Sequence, residues 1–391
     1  MPNLHPRSYI IRIERNYSML KKITRVGVVV TTIALIASGA VTAQAAVTGA
    51  ANAKTGADCA RSGSVAKDKG VNGSDLTCLS VPTGTMKGQL KWWYADLKPL
   101  KNIDWVVPAN AGGYSLTSNA ISDSLKTEGL LSEYTTVFKP GAGGATGLGF
   151  FQEIKNKPES ALITGIAMAG GIALAKSKLN ILDSKPVAKM MREYDAIVVP
   201  SNSKYKNLKQ LVEDIRKKGK SIAISGGNSG GVDHQVIGTL LKTAGIPVKE
   251  NLNYVVHSGG PEVVVSLLSG ATQVGVSGST EFKTMVDSGK LRVLGVSSKK
   301  KLAGYPGLTF ISQGYNMVYG NWRGVMAPAD LTAAEYLNFC KVLDALKGTP
   351  TWSKVLVANN WDNDFAGGDA FKSFLTAELP VVADVIKDLG L

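Results

Sequence analysis

The stretch Tyr134-Thr-Thr-Val-Phe-Lys-Pro-Gly-Ala-Gly-Gly-Ala-Thr-Gly147 decides the reading of the fold. Its first five residues, all β-branched or aromatic, predict a strand over 134–138. Pro140 ends that strand, and Gly141, Gly143 and Gly144 permit a tight turn. Residues 145–157 read as a helix. A glycine-rich turn feeding a helix start leaves backbone N–H groups without internal partners, and the helix dipole adds positive potential there. Such a place suits an anion. The plainer alternative is a tight strand–helix turn with no ligand. Two further loops of the same kind, at 108–113 and 225–231, favour the functional reading.

Outward from this stretch the pattern alternates. Strands are expected at 103–107, 161–166, 196–199, 221–224, 253–256, 274–276, 291–297 and 320–327. Helices are expected between them at 115–127, 208–217, 233–244 and 262–268, and at 333–346 and 369–387 towards the C-terminus. This alternation predicts an α/β fold, with parallel sheets covered by helices on both faces. In such sheets ligands bind beyond the carboxyl ends of the strands, where the glycine loops fall. A chain of 391 residues is long for one core and predicts two domains.

The N-terminus reads as an export signal. Lys21, Lys22 and Arg25 form a basic region, 26–41 is apolar, and Ala43-Gln44-Ala45 gives a small-residue cleavage pattern. Residues 1–18 read as an upstream extension, with Met1 or Met19 as the start. An uncleaved anchor is the alternative, but Thr31, Thr32 and Ser38 interrupt a stretch short for a span. No cysteine follows closely enough for a lipid anchor. Cys59 and Cys78, separated by 18 residues in an exported chain, predict a disulfide, and Cys340 a buried free thiol. Residues 46–100 differ from the remainder and read as a flexible segment followed by a small β-hairpin module closed by that disulfide.

The net charge of +14 falls to +9 once residues 1–45 are removed. The remaining lysines are scattered, without the basic patch and stacking aromatics that nucleic acid requires. Enzyme chemistry finds few bases. Gly227-Asn228-Ser229-Gly230-Gly231 matches a nucleophile-elbow pattern, but the expected helix begins near Asp233 rather than directly after the serine. His234 and His257 are the mature chain's histidines, and His234 reads as a capping or packing residue. Two distant histidines make a poor metal set, so no metal and no cofactor are expected. Neither the 141–147 glycines nor Gly219-Lys220-Ser221 satisfies a nucleotide-binding pattern. What remains is a cleft of backbone donors and hydroxyls: Ser115, Thr146, Ser229, Ser277, Ser279 and Thr280. These are N-caps on the plainer reading, and a receptor site for oxyanions on the functional one.

At these loops the chain resembles the solute receptors of tripartite tricarboxylate transporters, the TctC/Bug family, over 102–391. The resemblance rests on Pro108-Ala-Asn-Ala-Gly-Gly113, Lys139-Pro-Gly-Ala-Gly-Gly144, Ser225-Gly-Gly-Asn-Ser-Gly-Gly-Val-Asp-His234 and Asn253-Tyr254. Gly259-Gly260-x-Glu262, Gly289-Lys-Leu-Arg-Val-Leu294 and Asn321-Trp322-Arg323-Gly324 continue it in order. It implies a two-lobed type II periplasmic-binding-protein fold with a ligand cleft between lobes. Residues 101–195 and 320–391 would form one lobe and 196–319 the other, hinged at 196–200 and near 320–327, preceded by the small disulfide-closed module.

By the same resemblance Gly112, Gly113, Gly143, Gly144 and Ala145 would hold one ligand carboxylate, with Tyr114, Ser115, Gly141, Ala142, Thr146 and Met168 around them. Asn228, Ser229, Gly230 and Asp233, with Ser277, Gly278, Ser279 and Thr280, would face the distal end. Where many family members carry an aspartate and an arginine, this chain has Ser115 and Asn119. The missing aspartate argues against amino-acid ligands. The implied function is a non-catalytic, monomeric receptor, exported and cleaved near Ala45, that delivers a small di- or tricarboxylate to membrane permease subunits. The alternatives are a carboxylate sensor serving a signalling membrane protein, and an exported hydrolase using Ser229 and His234.

Overall fold

The structure is a computed structural model that describes residues 49–110 and 112–391. The expected signal sequence lies outside the described residues. The chain first forms a three-stranded antiparallel sheet from β1 (Val65–Ala66), β2 (Leu76–Ser80) and β3 (Leu90–Trp93). The expected disulfide joins Cys59 to Cys78 across this module. So small a sheet cannot bury a core of its own. Leu76, Trp92 and Trp93 instead merge into the main hydrophobic core. The hydroxyls of Thr55 and Tyr94 both donate to the buried carboxylate of Asp344, and Lys341 pairs with Asp96 at 2.7 Å.

Closing a loop of this length removes unfolded-state entropy amounting to about 3 kcal/mol. A Cys59→Ser, Cys78→Ser chain is therefore expected to lose about 3 kcal/mol in urea unfolding. An unchanged midpoint would mean that the bridge adds nothing to the stability of the folded chain.

The first half of the main body runs β4 (Leu100–Val107), α1 (Gly113–Thr127), β5 (Leu131–Phe138), α2 (Ala145–Gln152), β6 (Ser160–Gly165) and α3 (Ile166–Leu174). β4 lies parallel to both β5 and β6. Every residue of β6 is buried, whereas β5 is largely exposed and forms an edge. α2 stops five residues before its expected end. Asn156 adopts a left-handed φ of 55°, and Pro158 disfavours helix at the residue before it.

β7 (Lys185–Pro200) is a 16-residue strand that leads out of this half. The chain continues through α4 (Leu208–Lys218), β8 (Ala223–Gly226), α5 (Val232–Thr243), α6 (Val248–Asn251), β9 (Asn253–Val256) and α7 (Gly260–Leu268). Next come β10 (Val274–Gly278), α8 (Ser279–Asp287) and β11 (Leu291–Val296), and β12 (Gly320–Ala327) returns to the first half. α9 (Ala333–Lys347), α10 (Pro350–Ala358), β13 (Ala366–Gly367) and α11 (Asp369–Asp388) close the fold.

The main sheet runs β5-β4-β6-β12-β7-β10-β8-β9, with β11 and β13 also paired to β7. This corrects the expectation of parallel sheets, because the sheet is mixed. β7 carries the chain out and β12 brings it back beside it, so the two must run antiparallel. Within β7 the partner changes between Tyr194, opposite β12, and Asp195, opposite β10. The strand begins 11 residues earlier than expected (Lys185 rather than Ala196) because Lys189, Arg192, Glu193 and Asp195 break its apolar run. Inside the fold two of these charges are matched. Lys189 and Arg192 share Asp364 at 3.1 and 2.5 Å, and Lys189 lies 3.8 Å from the Phe374 ring centroid.

Candidate functional site

The loops between β4 and α1 and between β5 and α2 meet those after β8, β9 and β10 across a cleft. Two adjoining cavities occupy it, one of ≈ 650 Å³ and one of ≈ 610 Å³. Asn110, Ala167, Asn228 and Gly231 border both. Tyr114, Gly141, Ala142, Gly143, Gly144, Ser229 and Gly230 line the smaller cavity. Gly112, Gly113, Ser115, Asp233, Ser277, Gly278 and Thr280 line the larger. Ala145, Thr146, Met168 and Ser279 line neither; Met168 and Ser279 are buried beneath the loops.

Glycine is required at two of these positions for different reasons. Gly143 has φ +64°, and a Cβ there would lie 2.9 Å from the Ala167 carbonyl oxygen. At Gly113 a Cβ would fall 2.1 Å from the Arg323 guanidinium. The first turn of α1 carries N–H groups that no helical carbonyl precedes. In the second loop the Gly144 N–H donates to Gly141 O at 2.9 Å and the Ala145 N–H to Ala142 O. Two of the expected carboxylate donors are thus engaged within their own turn.

Beneath these loops lies Arg323, which sequence reasoning quoted but did not place in the site. It is buried, stacks over the Tyr114 ring at 4.8 Å and lies 3.4 Å from Glu193. Glu193 also accepts from Asn321 at 2.6 Å and from the Trp361 indole at 3.2 Å. The motif 321–324 was the available signal for Arg323. Nothing in the local sequence marked Glu193, Asp195 or Glu281, which also line the larger cavity.

The third loop is held from below by three consecutive side chains of α5. Asp233 accepts the Gly227 N–H at 2.7 Å, His234 Nδ1 accepts the Gly230 N–H at 3.2 Å, and Gln235 donates to Gly230 O at 2.8 Å. His234 also stacks on Tyr254 at 3.9 Å. Burial pulls the His234 pKa down to about 4, so its imidazole is neutral. No hydrogen bond joins it to Ser229 among the described residues, and its Nδ1 is already occupied. The pair is not arranged as a nucleophile and its base.

Asp195, 1% exposed, has no hydrogen-bond partner among the described residues other than the Asp233 carboxyl. Its carboxyl lies against that of Asp233. Burial, then the charges of Asp233, Glu193 and Glu281, raise the Asp195 pKa well above the usual range. Burial raises Asp233 to about 7 against the opposing Gly227 N–H.

Both acids hold a proton more tightly folded than unfolded, so stability falls as pH rises through and above the usual aspartate range. His234, depressed below 6.5, acts in the opposite sense between about 4 and 6.5. The fall in unfolding free energy from Asp233 is therefore expected between about pH 4 and 7, offset in part by His234 below about 6.5, at up to about 1.4 kcal/mol per pH unit for each proton. Urea unfolding at several pH values checks this. Asp195→Asn and Asp233→Asn should flatten this fall, and variants whose profiles match that of the wild type between pH 4 and 7 contradict it.

A family model described as "Tripartite tricarboxylate transporter family receptor" matches residues 135–391. Among solved structures, the fold is similar to that of a TctC solute-binding protein from Polaromonas: TM-score 0.62, 19% identity, 74% of this chain and 99% of that chain covered. It is also similar to MatC from Rhodopseudomonas palustris with bound malate, at TM-score 0.61 and 15% identity over 74% of this chain and 100% of that one. A second R. palustris protein, with adipate, gives TM-score 0.63 and 16% identity over 75% and 98%.

Proposed function

The chain belongs to the family of tripartite tricarboxylate transporter receptors, and from that premise we propose that it captures a small carboxylate in the cleft and hands it to a membrane permease. The observation that carries this reading is the convergence of glycine loops from both halves on one cleft, with a buried arginine beneath Gly113. The N–H groups of Gly112, Gly113, Ala142 and Gly143 would hold the proximal carboxylate, aided by Arg323. Asn228, Ser229 and the start of α8 would face the distal end. The malate and adipate in the two R. palustris structures support a small carboxylate as ligand.

Residues 101–195 with 320–391, and 196–319, would move as two lobes. The hinge would lie where β7 exchanges partners, at Tyr194–Asp195, and just before β12. Leu116 and Phe138, apolar side chains 48% and 46% exposed at the cleft, would be covered on closure, which favours the closed state when ligand is present. The protein would act as an exported monomer, its signal cleaved near Ala45, and without catalysis.

A thermal-shift panel on the exported protein tests the reading, with citrate, succinate, malate, adipate, glutamate and a neutral sugar. A ligand at about 100 times its dissociation constant stabilises by roughly 2.7 kcal/mol. Stabilisation by carboxylates alone supports the reading, and stabilisation by the sugar alone overturns it.

A further inference from the structure

We infer that the smaller of the two cavities takes a hydrocarbon tail, so that the ligand is a monocarboxylate with an apolar chain. The inference rests on the proposed carboxylate-receptor function and narrows it. Its ground is the contrast between two cavities that share one border. Five charged side chains line the larger: Arg323, Glu193, Asp195, Asp233 and Glu281. None of the described residues around the smaller cavity carries a charge. Its wall is mainly apolar, from Pro108, Ala109, Pro140, Ala167, Leu174 and Ala175 among the glycines of the loops.

The backbone around this ≈ 610 Å³ space adds little polarity, because much of it is already engaged. In the third loop the Gly230 N–H donates to His234 Nδ1 at 3.2 Å, and the Gly230 carbonyl accepts from Gln235 at 2.8 Å. The Gly231 N–H donates to the Asn228 carbonyl at 2.8 Å. In the second loop the Gly141 and Ala142 carbonyls accept from the Gly144 and Ala145 N–H groups. A polar or charged tail would give up water there for few partners, which is costly. A hydrocarbon tail gains by leaving water and loses no hydrogen bond.

The junction of the cavities fixes which end of the ligand goes where. Asn110, Ala167, Asn228 and Gly231 border both. Tyr114, 7% exposed, borders the smaller, and its ring lies 4.8 Å from the Arg323 guanidinium of the larger. Arg323 is the one cation bordering either cavity among the described residues. A carboxylate at the junction keeps that cation and the proposed N–H donors within reach. A chain running on from it into the smaller cavity leaves the charged wall behind. A second carboxylate at the far end of that chain would meet no cation.

Calorimetry on the exported protein tests this with butyrate, hexanoate and octanoate, and with suberate as the dicarboxylate of octanoate's length. Each added methylene is expected to tighten binding about threefold. Octanoate should bind at least about tenfold tighter than suberate. Its binding heat should also grow more negative with temperature faster than that of butyrate, as apolar burial requires. Ala175→Asp and Leu174→Gln, verified as folded by circular dichroism, should each cut the advantage of octanoate over butyrate at least about fivefold. Suberate that binds as tightly as octanoate, or affinity that stays flat from butyrate to octanoate, overturns the inference and leaves the receptor reading standing. An octanoate advantage that both folded variants keep also overturns it, because the tail then lies elsewhere. Failure of all four carboxylates, and of those in the thermal-shift panel, to bind brings down the receptor reading and the inference together.

Discussion

A Gly143→Val chain is expected to bind its carboxylate at least about a hundredfold more weakly, a loss of about 2.7 kcal/mol. The residue's φ of +64° disfavours any side chain, and the built Cβ meets Ala167 O at 2.9 Å and the Gly171 Cα at 3.0 Å. These are backbone atoms of α3, which cannot rotate away. The 141–144 loop must therefore lift from α3, carrying the N–H groups of Ala142 and Gly143 out of register with those of α1. The turn is at the surface, and a backbone strained this way costs of order 1–3 kcal/mol, which a chain with so large a core should survive. Titration calorimetry, with circular dichroism to verify folding, checks the outcome. A folded variant that binds like wild type would remove Gly143 from the site.

Arg323→Leu is expected to cost about 3 kcal/mol of folding stability as well as most of the binding. The guanidinium lies over Tyr114, under Gly113 and beside Glu193. Its removal leaves Glu193 with only neutral donors in a largely buried position. Adding Glu193→Gln to Arg323→Leu should recover at least about 1 kcal/mol if the charges are coupled, as a double-mutant cycle reads directly. Additive losses would mean that the arginine acts through packing against Tyr114 alone.

Much of this fold is legible in the sequence because its punctuation is local. The strand at 253–256 is a Tyr-Val-Val run opened by asparagine, and that at 320–327 is opened by Gly-Asn and closed before Pro328; the structure has Asn253–Val256 and Gly320–Ala327. The glycine loops are legible for the same reason, since a turn that needs left-handed backbone announces itself through glycine. What stayed hidden depends on distant partners. The N-terminal part of β7 is obscured by charged residues whose partners, such as Asp364, lie far along the chain. α10 follows Thr349, whose side chain accepts the Trp352 N–H, and Pro350 at its first position, but no long apolar period signals so short a helix. No helix is expected from the sequence at α8 (Ser279–Asp287), because glutamate, lysine and aspartate break up its apolar period.

The site divides along the same line. Backbone donors on glycine loops were foreseen, whereas Arg323, Glu193, Asp195 and Glu281 come together only when β7, β12 and α8 meet. Their charges are individually ordinary in sequence. Only their placement around a common cavity makes them informative.

The most direct measurement is a ¹⁵N–¹H spectrum of the exported protein, titrated with the carboxylate that raises its melting temperature most. The account predicts that the amides of Gly112, Gly113, Ala142 and Gly143 shift together with Asn228 and Ser229, saturating at one ligand per chain. Amide shifts confined to a surface away from these loops, with the glycine amides unmoved at saturation, would contradict it.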